Sequence, residues 1–600
     1  MVTQPAPAAA GPAPTGYAGS DELPRWSLSA VFPNLHAPQY TQARALVLRD
    51  LQVLGDDYRH HGITHGPHQE ATESLLAVFD TILPQTNHLL DAHRTITMYL
   101  SALLWADADD ADARTEQTSF RSLTRTLFVL VDDLRSWVAR FDTEQLIASS
   151  NVAATHCHFV RRAAAAAEHR MPTAAEALYQ GLREHSSTAW LRLYQELAAD
   201  IGPYLLAGDT SRLDAATRHR DNVDRWQAAG PSLTAALNAI KGEELLLSRL
   251  RGWKTPLEER VDAEGVESDT VTAMFDAVRA VLPDMRTYLK AKAQKLGHNS
   301  PLPWWEIPAA VPGTGAVSWP GALQLVQDAF QSHSAELAAL PRHALNRHWI
   351  DAQSRPTKRS RALCVLVTDG EPRILLTYDD SYRGVLSLAH ELGHAYHYIQ
   401  LEGATWLQRD IPLAVSETAS GFCEALVAEQ LLRTASETER LARLDALLVR
   451  QCQNIVDTLV SFTFEGRVFT QRAAGPLSEQ RLCDLMVKSQ REAYGDSVAA
   501  HSLHPYWWAA RADTFASPYS SWQYCFGTLL GTALHTATSG DQDMRRHLLD
   551  ETLRRSGTER LSHLMHSVGI DLADPAFWEG SLKPMRQHIT EFVTASGDAA

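Results

Sequence analysis

The stretch Leu388-Ala389-His390-Glu391-Leu392-Gly393-His394-Ala395-Tyr396-His397 constrains this chain more than any other. Residues four apart on an α-helix lie one above the other, so His390 and His394 can offer two imidazole nitrogens to one metal ion only if this segment is helical. The pattern implies a helix and a zinc chelate on it. Glu391 stands about 100° around the helix from His390, beside the metal rather than on it, where a carboxylate can take a proton from water and later return it. Tyr378-Asp379-Asp380-Ser381 supply acceptors for the first N–H groups, and Gly403 is a C-terminal stop, which predicts a helix of about five turns. Gly393 costs such a helix about 1 kcal/mol, a cost that a close neighbour on that face would justify.

A catalytic zinc usually takes three protein ligands and one water. A third histidine six residues beyond His394 is excluded, because Gln400 stands there. Glu417 is the better candidate. Asp410 and Pro412 mark a helix start, after which Glu417, Gly421 and Glu424 share one stripe. Glu424, two turns along, is suited to hold a ligand imidazole from behind. His397 also lies on the ligand face, one turn too far for a three-ligand set, and is expected behind the ligands or in the packing around them.

The two segments, written His-Glu-x-Gly-His-x-x-His and then Glu-Thr-Ala-Ser-x-Phe-x-Glu, resemble the oligoendopeptidase F family of zinc metallopeptidases, relatives of thimet oligopeptidase. Trp349-Ile350-Asp351-Ala352, Lys358-Arg359 and Arg373 through Tyr378 resemble it too, as do Trp26 through Pro33 and the pair of segments Ala236 to Glu243 and Arg251 to Leu257. The resemblance runs from about residue 25 to about 585. It implies a mainly α protein with zincin-type catalytic helices and one small β-sheet, in a two-lobed helical body enclosing a deep channel. It also implies one Zn2+ per chain, held by His390, His394 and Glu417, and short unstructured peptides as substrates, cut at internal bonds.

Composition fits. The chain is 45% hydrophobic and 21% charged, ordinary for a soluble protein with a large core. A net charge of −16 argues against nucleic-acid or anionic-membrane partners, which need basic patches. Six scattered cysteines without a Cys-x-x-Cys pair suggest buried thiols, and nothing resembles a signal peptide or a membrane span, so a cytoplasmic location is expected.

Along the chain, residues 1–22 read as a disordered Ala/Pro leader and 23–297 as an N-terminal helical region. Residues 298–320 read as a Pro/Gly/Trp connector, 321–590 as the catalytic zinc-binding domain and 591–600 as a tail. Helix is expected over Leu323–Leu340. The one good strand signal is a hairpin, Leu363–Val367 and Ile374–Tyr378, turning at Asp369-Gly370-Glu371-Pro372. A strand beside the metal helix is suited to bind a peptide backbone by adding it as an extra strand.

In the resembled family the tract 504–527 supplies a His and one or two Tyr as donors to the oxyanion. Here Asp513-Thr514 stands at the His and Ser520 at a Tyr, with Tyr519 adjacent, while Tyr524 is retained. The metal half is therefore intact and the donor half depleted, leaving Tyr524 and Tyr519 as candidate donors. Arg361 replaces a usual glycine before the edge strand, either as a substrate-groove cation or as part of a solvated basic run from Arg355 to Arg361. Two alternatives follow: a zinc amidase dedicated to one small or modified substrate, and a non-catalytic peptide-binding homologue.

Overall fold

A computed structural model of the chain describes residues 22–202, 212–313, 315–358, 362–536 and 542–597. Residues 1–21 of the expected leader and Arg361 lie outside these. Among the described residues the protein is mostly helical, with one three-stranded sheet of β1 (Ile350–Asp351), β2 (Leu363–Thr368) and β3 (Glu371–Leu375) in the order β1-β3-β2. Among the described residues no helix is long and apolar enough to cross a membrane.

The helices follow the apolar spacing. Leu51, Leu54 and Tyr58 line one buried face of Pro38–His61, and Phe79, Ile82, Leu83, Leu89 and Leu90 do so on the 34-residue helix Glu73–Ala106. Packing of these faces produces two hydrophobic cores. One gathers residues from Leu28 to Ala163 together with Val367 and Leu407; the other runs from Tyr194 to Phe592. The sheet lies at their seam, because Val367 of β2 enters the first core and Ile374 of β3 the second.

The strands differ in detail from the expected hairpin. β2 is Leu363–Thr368 and β3 is Glu371–Leu375, antiparallel, while β1, Ile350–Asp351, joins β3 in parallel. The turn is shorter than expected because Gly370, at φ 68°, reverses the chain in the left-handed region. Pro372 therefore falls inside β3 opposite Leu366, and the register shifts between Leu366 and Thr368. Tyr378 leaves the sheet and donates its hydroxyl to the Val317 carbonyl at 2.6 Å.

Two other expectations are corrected. Leu323–Leu340 is not one helix: Trp319–Gln331 stops, and Ala335–Asn346 restarts where Ser334 accepts from the Leu337 N–H. Nor are Arg355 and Lys358, the described cations of the basic run, turned to solvent. Arg355 forks onto both oxygens of buried Asp351 at 2.8 Å, and Lys358, buried, reaches the same carboxylate at 2.8 Å and the Leu376 carbonyl at 2.6 Å.

Candidate metal centre

The metal helix is Tyr382–Gln400, begun by Ser381, whose hydroxyl accepts from the Gly384 N–H at 3.0 Å. Leu413–Arg433, the helix carrying Glu417, crosses it closely. A Cβ at Gly393 would lie 2.7 Å from the Ser420 Cα and 2.8 Å from the Ala419 carbonyl oxygen, so the glycine exists to admit the backbone of the partner helix. Trp522–Thr536 packs on the other side of that partner just as tightly, since a Cβ at Gly527 would meet the Glu417 Cβ at 2.3 Å.

This packing brings His390, His394 and Glu417 together, with one ligand atom from each within 4.8 Å of the others. The two Nε2 atoms are 3.2 Å apart, and Glu417 Oε2 is 3.4 Å from the first and 3.9 Å from the second. The far side of each ring explains its orientation. His390 Nδ1 meets the Glu424 carboxylate at 2.6 Å, which keeps its proton on Nδ1, and His394 Nδ1 meets the Ser416 hydroxyl at 3.2 Å, so both Nε2 atoms point inward. Two ring nitrogens and a carboxylate facing one point can share one cation, and this set of nitrogen and oxygen donors suits zinc.

Arg450, on the helix Glu437–Gln451, closes the outer ring. Its Nη2 and Nε reach Glu424 Oε1 and Oε2 at 2.7 and 2.9 Å. Burial alone would raise the Glu424 carboxyl, but Arg450 and His390 outweigh it and hold it at about 2, a fixed anion behind the ligand. Burial pushes Glu391 the other way, up to about 7, with His390 opposing and Glu417 adding to the rise. Glu391 is 3% exposed and its Oε2 is buried with no hydrogen-bond partner, a basic oxygen held ready beside the ligand group.

Other expected residues are placed differently. His397 turns to the Ser556 hydroxyl at 2.9 Å, beyond the helix Gln542–Arg555, so its role is packing and not support of a ligand. Tyr519 is turned into the core: its N–H donates to Glu465 Oε2 at 2.9 Å, at φ 49°, and its ring packs on Phe462 and Phe469. The left-handed backbone directs the ring toward Phe462 and Phe469. Tyr524 lines an open cavity with Asn454, Arg511 and Asp513, one turn before Gly527 on the helix that touches Glu417. Asp513 has its side chain 36% exposed and pairs with Arg511 Nη2 at 3.3 Å.

Sequence reasoning missed Arg450, Ser416 and the pair Arg94 and Tyr398. Only Tyr398, four residues after His394, had a local signal in its spacing.

Residues 336–584 match the family model described as Peptidase family M3. The oligoendopeptidase F homologue of Borreliella burgdorferi is 20% identical over 361 residues, covering 58% of this chain and 59% of the relative. That of Lactococcus lactis subsp. lactis is 19% identical over 350 residues, covering 58% of each. The chain thus spans a little under three fifths of the length of these curated relatives. The crystal structure of oligoendopeptidase-F from Enterococcus faecium superposes with a TM-score of 0.69 over 94% of this chain and 99% of that one, at 14% identity, which is a likeness of fold.

Proposed function

Because residues 336–584 belong to the peptidase M3 family and the chain takes the oligoendopeptidase F fold, we propose that it is a zinc metallopeptidase hydrolysing internal bonds of short unstructured peptides. The observation that carries this is the convergence of His390, His394 and Glu417 beside the unpartnered oxygen of Glu391. Zinc held by the three ligands would polarise the scissile carbonyl and acidify a water. Glu391 takes the proton from the attacking water and delivers it to the leaving amine. Glu424, fixed by Arg450, keeps the His390 proton on Nδ1, and Ser416 holds the His394 ring. Tyr524, in the adjoining cavity, steadies the charge developing on the carbonyl oxygen. The position of the site at the seam of two cores supports restriction to chains thin enough to enter.

The departure at Asp513 favours a second reading, an amidase dedicated to one small or modified substrate. Mass spectrometry of a mixed library of peptides about 5–20 residues long, incubated with zinc-loaded enzyme and with Glu391→Gln, separates the two. Cleavage of many unrelated peptides by the wild type alone establishes the peptidase; stoichiometric zinc with no cleavage transfers the assignment to the amidase.

A further inference from the structure

Arg94, on the long helix Glu73–Ala106 of the first core, crosses the seam toward the metal centre. Its Nε donates to the Leu366 carbonyl of β2 at 3.3 Å, and its guanidinium carbon lies 4.7 Å from the centroid of the Trp406 ring. Leu366 and Pro372 form a non-hydrogen-bonded pair, because the neighbouring Ile374 N–H turns to Trp349 on β1's side, so the Leu366 carbonyl points to the open edge of β2, where Arg94 supplies its donor. The guanidinium is part-buried, and no carboxylate pairs with it among the described residues; Asp91, one turn back, acts on it only through space. In a chain of net charge −16, where the other cations near the centre are committed to acids (Arg450 to Glu424, Arg409 to Asp369), this one is hydrogen-bonded to the Tyr398 phenol and paired with no acid among the described residues. It is close to the chemistry. Tyr398 lies one turn beyond His394 on the metal helix Tyr382–Gln400 and hydrogen-bonds the guanidinium, which ties Arg94 to the helix that carries His390, Glu391 and His394.

We propose that Arg94, backed by Trp406 and flanked by Tyr398, is a substrate subsite for a carboxylate, which makes this a peptidase that prefers acidic or free-acid peptides. The inference rests on the peptidase reading for its substrate class. β2 has β3 on one side only, so a peptide can be laid along its other edge. From Cys364, beside Glu391, to Leu366, held by Arg94, is two residues, roughly 6–7 Å of extended chain. A carboxylate two or so residues from the scissile bond therefore meets a desolvated guanidinium that carries no acid of its own and has N–H groups beyond those on Leu366 and Tyr398. Two sources carry that group: the C-terminus of a short peptide and the side chain of an Asp or Glu.

Binding decides it without turnover. Zinc-loaded Glu391→Gln protein is titrated calorimetrically with matched peptides of about six residues, one pair differing as C-terminal acid and amide, the other as internal Glu and Gln. The acid member of one pair is expected to bind about 10–100-fold more tightly, the range for a charged hydrogen bond made in a desolvated site. Preference in the first pair identifies the terminus, in the second the side chain. Adding Arg94→Gln should bring the ratio to about 1, with Arg94→Lys between, and thermal melting confirms that each variant is folded. Equal binding of acid and amide in both pairs overturns the proposal, as does an acid preference that survives Arg94→Gln, since the metal itself then holds the carboxylate. An acid preference in a protein whose wild type cleaves nothing would leave the subsite standing and remove only the peptidase reading.

Discussion

The metal half and the donor half of this site are built on opposite plans. Around the ligands every group is held by another: Glu424 holds His390, Arg450 holds Glu424, Ser416 holds His394, and Gly393 lets the two helices touch. The tract from Tyr506 to Tyr524 has no such closure. Tyr524 borders an open cavity, Asp513 points to Arg511 across 3.3 Å, and Tyr519 is spent on the core. A metal chelate tolerates almost no misplacement, so its supports come as a set; donors to a developing charge can be exchanged one at a time.

Glu391→Gln is the sharpest break. It should lower kcat by about 10²–10⁴-fold while zinc content stays at one per chain, because the proton carrier is lost and no ligand is. Turnover within tenfold of wild type would assign the proton to another group. Within the donor half, Tyr524→Phe should lower kcat by about 10²-fold and Tyr519→Phe by less than about threefold, the loss of a donor against the loss of a hydroxyl set in the core. Equal effects in stopped-flow assays of the two variants would erase the distinction drawn from their positions. Arg450→Met tests the closure of the metal half. It leaves Glu424 buried without its cation, and competition with a chromophoric chelator should report zinc held about 10–100-fold more weakly. Unchanged affinity would mean that His390 is oriented by Glu424 alone.

These two halves were not equally legible in the sequence. His390, His394 and Glu391 are fixed by spacing within one helix, and Glu417 and Glu424 by spacing within the next, so a local period carried the chelate. Even the reason for Gly393 was readable, as a demand for a close neighbour, although the neighbour proved to be the Ala419-Ser420 backbone. Arg450 and Arg94 reach the site only through tertiary packing, one from 26 residues beyond Glu424 and the other from the opposite core, and no local pattern marks them. His397 shows the limit of periodicity: it shares the ligand stripe, yet one further turn carries it to Ser556. The hairpin was recognised by composition, while its boundaries moved because Pro372 belongs to the strand and not to the turn.

The smallest effect concerns what lies under Tyr519. Lys241 is fully buried, 3.1 Å from Glu244 and 3.2 Å from Glu465, and Glu465 is the acceptor that holds the Tyr519 N–H. Two carboxylates on one ammonium leave one negative charge in excess in a dry site. Burial, opposed by Lys241 and reinforced by Glu465, pushes Glu244 up to about 7. An acid whose pKa is higher folded than unfolded binds its proton more tightly in the native state. Its contribution is therefore complete below about pH 4.5 and is lost as pH rises to about 7. Glu244→Gln keeps the shape of the protonated acid and cannot ionise. Compared by denaturant unfolding in chelator, the variant should match wild type within about 1 kcal/mol at pH 5 and exceed it by roughly 1–3 kcal/mol at pH 8. A difference that is the same at both pH values would mean that Glu244 is ionised throughout and that Lys241 holds both carboxylates with one negative charge in excess. The floor beneath Tyr519 would then be held by three full charges, and the donor half would be as closed at its base as the metal half is around its ligands.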